Sequence, residues 1–103
     1  MSFKQFNLHP HLASAVRSIG YTTPTPIQLQ TIPLILQGKD IMGIAPTGTG
    51  KTAAFALPIL HLLTTGPRKH LRVLILAPTR ELAEQIHEAI DALGRNTTLK
   101  SVS

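Results

Sequence analysis

The chain has 103 residues, 43% hydrophobic and 15% charged, which allows one small domain with a modest core and argues against disorder. Ten Lys and Arg against five Asp and Glu give a formal net charge of +5, which favours a polyanionic partner through long-range attraction without naming it. There is no cysteine for a disulfide or a thiolate metal site, no signal-peptide core behind Met1-Ser2-Phe3-Lys4-Gln5, and no apolar run of membrane-spanning length, so the expectation is a soluble, cytoplasmic protein.

Leu12, Val16 and Ile19 recur at offsets of four and three, which predicts a first helix over about 9–19, closed by Gly20. Thr22-Thr23-Pro24-Thr25-Pro26 cannot begin inside a helix, because each proline biases its predecessor away from the helical region, whereas Pro26 suits a first helical turn. A second helix therefore runs from Pro26 to about Gln37, bent at Pro33 and stopped by Gly38. Asp40-Ile41-Met42-Gly43-Ile44-Ala45 and Leu71-Arg72-Val73-Leu74-Ile75-Leu76-Ala77 are nearly continuous apolar runs of the kind that form buried parallel strands. Between them Lys51 to Leu63 reads as a helix bent at Pro58, followed by a basic loop at 64–69. A last helix from about Arg80 to Leu93 puts Leu82, Ile86, Ile90 and Leu93 on one face, with Glu84, Glu88 and Asp91 in solvent and Gly94 as cap. Thr97 to Ser103 alternates small polar and apolar residues like a third strand. The pattern predicts an α/β fold with a parallel sheet of two to three strands flanked by helices, divided into a helical region over 1–39 and a strand-helix-strand-helix unit over 40–103.

Ala45-Pro46-Thr47-Gly48-Thr49-Gly50-Lys51-Thr52 follows the first apolar run and opens a helix, and it fits the P-loop spacing once the first glycine is relaxed to alanine. Gly48 and Gly50 let successive amides converge on phosphate oxygens at a helix N-terminus. Lys51 is placed to neutralise the β and γ phosphates, and the Thr52 hydroxyl to take one position on Mg²⁺. The plain alternative is a Gly-Thr turn feeding an ordinary helix. A P-loop does not select the base.

Base selection points upstream. Gly20-Tyr21-Thr22-Thr23-Pro24-Thr25-Pro26-Ile27-Gln28 resembles the Q motif of the DEAD-box RNA helicases, and Phe3 matches the isolated aromatic seventeen residues before that motif's glycine. Ala45 to Thr52 resembles motif I of the same family, and Ala77-Pro78-Thr79-Arg80-Glu81-Leu82-Ala83 resembles motif Ia. The three occur in the family's order, and their wording is similar to bacterial members of the RhlE type; Pro46 departs from the family's more usual glutamine. A glutamine amide pairs its acceptor and donor with the N6 amino group and N7 of adenine, which is worth roughly 1–3 kcal/mol of discrimination. The resemblance implies that Gln28 reads adenine, that Tyr21 stacks on it, and that the Thr23 carbonyl receives its amino group. It further implies that Phe3 belongs to the ATP site and that Pro78, Thr79 and Arg80 touch the RNA backbone. The alternative for Arg80 is pairing with Glu84 on its own helix.

Hydrolysis needs a carboxylate for Mg²⁺ and a group to orient water. The acids here are Asp40, Glu81, Glu84, Glu88 and Asp91, at a strand start or on the last helix, which fit neither role. His9 and His11, two apart on a helical segment, face different directions and make a poor metal pair. The expectation is the N-terminal part of a first RecA-like helicase domain, binding ATP or ADP and RNA backbone without turnover by itself, lacking a second RecA-like domain, with self-association through uncovered sheet edges and no membrane partner. The competing reading is another P-loop nucleotide binder, such as a small kinase or GTPase.

Overall fold

The computed structural model describes residues 2–44, 50–66 and 71–103. A short 3-10 helix at Phe3–Phe6 is capped by Ser2, whose hydroxyl accepts from the Lys4 N–H at 3.3 Å. Helix α1 (Pro10–Ile19) begins on a proline, whose missing N–H is no loss in a first turn, and ends at Gly20 with φ 97°, a conformation open to glycine. Helix α2 (Pro26–Leu36) is launched by a capping box: the Thr25 hydroxyl accepts from the Gln28 N–H at 3.4 Å, and Gln28 Oε1 accepts from the Thr25 N–H at 2.9 Å. Helices α3 (Lys51–Leu63) and α4 (Arg80–Leu93) complete the set. Pro33 and Pro58 both lie inside continuous helices, and Pro58 is fully buried, so packing offsets the hydrogen bond each proline removes.

Helix α3 is the axis of the molecule, with α2, α4 and α1 packed on it. Its Ala53, Ala56, Leu57 and Leu60 meet Leu12 and Val16 of α1, Ile32 of α2 and Leu93 of α4, with Phe3 and Phe6 sealing the α1 end. Leu12, Ile32 and Leu57 are completely buried, each worth about 1.5–3 kcal/mol of transfer free energy. The small residues of α3 allow α2 to approach closely enough for Thr31 to stitch the pair. Its Oγ1 donates to the Ile27 carbonyl at 2.7 Å and lies 3.5 Å from the Ala54 carbonyl.

The expected α/β, RecA-like sheet is corrected by the structure: among the described residues there are helices and no strand. Residues 40–44 and 71–77 are extended in sequence character but unpaired as strands, and the tail over 97–103 is likewise irregular. The physical reason lies in cover. A parallel strand needs a hydrogen-bonded neighbour and a packed layer on each face, but α3 and α4 offer 71–77 a single face. Val73 and Ile75 turn partly toward those helices, whereas Leu71, Leu74 and Leu76 are 86%, 75% and 84% exposed. Met42 and Ile44 stand out in the same way. Between α3, α4, residues 71–77 and the tail runs an apolar groove of about 960 Å³, lined in part by Ile59, Leu60, Ile86, Ile90 and Leu99. Helix α4 follows the expected bounds, with Ile86 and Leu93 buried, but Leu82 is more exposed than its place on the apolar face predicts. Among the described residues no helix is long and apolar enough to cross a membrane.

Candidate nucleotide-binding site

Two elements expected to serve a nucleotide are brought together by one side chain. Gln28, in the first turn of α2, is 2% exposed. Its Oε1 is held by the Thr25 N–H, and its Nε2 donates to the carbonyl of Gly50 at 3.2 Å. Gly50 is the residue from which α3 departs; its φ of 81° favours glycine, and the Gln28 Nε2 would crowd any Cβ there. The base-side segment and the phosphate-side helix are thus joined through a buried amide that no surface-residue reading would supply. A signal for half of this was legible: Thr25-x-x-Gln28 is a capping-box pattern. The long-range partner, Gly50, was not.

The first turn of α3 is prepared for an anion. Gly50 provides no side-chain cap, no acid stands in the first turn, and Lys51 is exposed at its start, so the positive end of the helix dipole is reinforced by an ammonium group. Thr52 follows, half-buried. Ala45, Pro46, Thr47, Gly48 and Thr49 lie outside the described residues, so the upstream part of the expected P-loop is not described by the structure.

On the other side, Phe3 and Tyr21 stack with ring centroids 6.1 Å apart and planes 22° from parallel, and Phe6 meets Phe3 edge-on at 5.8 Å. The aromatic seventeen residues upstream therefore touches the motif directly. Phe3 is buried, while Tyr21 and Thr23 are exposed.

Pro78, Thr79 and Arg80 are exposed at the start of α4. The Thr79 hydroxyl is engaged as N-cap, accepting from the Leu82 N–H at 3.1 Å. Among the described residues Arg80 makes no ion pair with Glu84, which instead accepts from the Ser103 hydroxyl at 3.1 Å. Glu81, Glu84, Glu88 and Asp91 are all exposed, as is Asp40. No group of acids or histidines among the described residues is arranged to hold a metal ion. His9 and His11 nevertheless meet, with rings 4.9 Å apart, because His9 caps α1 from outside the helix and helical spacing does not govern it.

The family model of the DEAD/DEAH box helicases matches residues 25–103, which includes Gln28, the phosphate-side turn and the start of α4. The chain belongs to the DEAD/DEAH box helicase family. Among curated proteins it is 57% identical over 101 residues to the ATP-dependent rRNA helicase RRP3 of Lodderomyces elongisporus, covering 98% of this chain and 20% of that protein. It is 52% identical to the protein of the same name from Candida albicans, covering 97% of this chain and 18% of that one. Among solved structures, the RNA helicase Prp28 of Chaetomium thermophilum bound to ADP superposes with a TM-score of 0.90 at 40% identity, covering 98% of this chain and 26% of that one. A DEAD box protein from Methanococcus jannaschii gives 0.83 at 40% identity, over 90% and 25% of the two chains. The chain spans about a fifth of the length of the curated relatives it matches. The relatives named here are fungal and archaeal, so they lend nothing to the bacterial RhlE-type expectation. Family membership sets aside the small-kinase and GTPase alternative.

Proposed function

We propose that this chain is the ATP-binding and RNA-backbone-contacting segment of a helicase that couples ATP hydrolysis to RNA duplex separation. The observation that carries the reading is the Gln28–Gly50 hydrogen bond, which fixes the base-side segment against the uncapped start of α3. In this reading Tyr21 stacks on adenine over the Phe3 ring, the Thr23 carbonyl addresses the adenine edge, and Gln28 addresses it with the second lone pair of Oε1 and the second N–H of Nε2, the first of each being held by Thr25 and Gly50. The amides from Ala45 through Gly50 and the Lys51 ammonium cradle the phosphates. Thr52 is the chain's own ligand for Mg²⁺, an ion that neutralises phosphate charge when bound. Thr52 is half-buried in the first turn of α3, beside the end of the helix that attracts phosphate, which suits its hydroxyl to share a phosphate-bound ion. Pro78, Thr79 and Arg80 at the start of α4 hold RNA phosphates without reading sequence.

The carboxylates for turnover and a second domain come from elsewhere in the protein, and the 103-residue chain alone binds without hydrolysing. Its open apolar side favours self-association, and it works in the cytoplasm. The name of the fungal relatives suggests ribosomal RNA as a substrate class.

Titration with ATP and GTP tests the reading. Wild type favours ATP by about ten- to a hundred-fold, and Gln28→Ala erases that ratio while remaining helical. An unchanged ratio in a folded Gln28→Ala variant would refute the assignment of base reading to this residue.

A further inference from the structure

We propose that His9, His11 and His61 form an acid-released latch that fastens the first turn of α1, and with it the Phe3-bearing N-terminal segment, to the last turn of α3. The His9 backbone N–H donates to His61 Nδ1 at 3.0 Å across 52 residues of sequence. His9 Nδ1 in turn accepts from the His11 N–H at 3.1 Å, and the two rings lie 4.9 Å apart. Helix α1 has no acid in its first turn and opens on Pro10, so His9 is its side-chain cap.

Both bridging Nδ1 atoms act as acceptors, which requires that neither carries a proton. An imidazolium offers donors only. Protonation of His61 turns an N–H toward the His9 N–H and sets a charge beside the His9 ring, whose Nδ1 caps α1. The packed elements supply little to offset this. Helix α2 carries no ionisable side chain, and the 3-10 helix carries only Lys4. Helix α4 carries Arg80, Glu81, Glu84, His87, Glu88 and Asp91; beyond it Asn96, a neutral group, reaches the His11 carbonyl at 3.5 Å. Among the described residues, the ionisable neighbour felt at His61 is His9.

Burial, and then the positive charge available to His9, push the His61 imidazole below its ordinary 6.5. The sign follows. The unfolded chain takes up this proton before the folded one, so the latch is whole above pH 6.5 and is lost as pH falls through the folded value.

Amide correlation spectra of the full 103-residue chain, recorded from about pH 7.5 to about pH 5, test the proposal. The His9 amide shift should follow the same midpoint as the His61 ring, with its exchange protection falling roughly two- to ten-fold as that ring titrates. His61→Asn, which keeps a neutral acceptor, should hold the His9 amide protected and flatten its pH dependence, whereas His61→Phe should leave it unprotected at every pH. The proposal is overturned if the His9 amide ignores the His61 titration, if it moves only when all α1 and α3 amides collapse together, or if His61→Asn titrates like wild type. Should His61→Asn fail to fold, the wild-type co-titration decides alone.

Discussion

The two sides of α3 differ in how they close. Toward α1 and α2, completely buried apolar residues are interlocked with satisfied polar groups, Gln28 on Gly50 and Thr31 on Ile27, and no buried side-chain polar atom among the described residues lacks a partner. Toward α4, a groove remains beside an apolar run whose outer residues face solvent. The difference teaches what each kind of segment can settle by itself. A helix satisfies its backbone internally and needs cover on one stripe. A parallel strand needs neighbours for both its hydrogen bonds and its faces, so the same apolar content leaves one side finished and the other open.

The sharpest way to break this contrast is the core itself. Leu57→Ala, at a position with no exposure on the closed side, should cost about 2–5 kcal/mol in denaturant unfolding, enough to unfold much of so small a domain. Next comes the polar tie: Gln28→Ala leaves the Thr25 N–H and the Gly50 carbonyl without their partner and should cost about 1–3 kcal/mol, and a change below measurement error would mean that water replaces the amide at no loss. Gly50→Ala should cost about 1–2 kcal/mol, because a left-handed backbone and the Gln28 amide both oppose a Cβ. On the open side the expectation reverses. Leu74→Lys and Leu76→Lys should each change stability by less than about 0.5 kcal/mol while reducing self-association in sedimentation velocity. A loss as large as that of Leu57→Ala would show that residues 71–77 are packed in solution.

Helix limits were legible because their causes are local. Gly20, Pro26 and Thr79 mark ends through backbone geometry and capping, and Arg80–Leu93 came out with its expected bounds. The strands misled because an apolar run records a demand for burial, not whether neighbours exist to meet it. Phe3, Tyr21 and Gln28 were expected at the candidate site by resemblance alone, whereas the Phe3–Tyr21 stack, the Gln28–Gly50 bond and the His9–His61 contact are long-range facts. No periodicity reports a partner 22 or 52 residues away. Leu82 shows the complementary error: its register was right, but the face it joins lacks cover.

Tyr21 is the sole tyrosine in a chain without tryptophan. Its ultraviolet emission therefore originates at one point, against the Phe3 ring and beside the segment proposed to hold adenine. Occupancy of that spot by a purine would alter the quantum yield of a single native fluorophore, giving the molecule an intrinsic optical gauge that needs no dye and no added label.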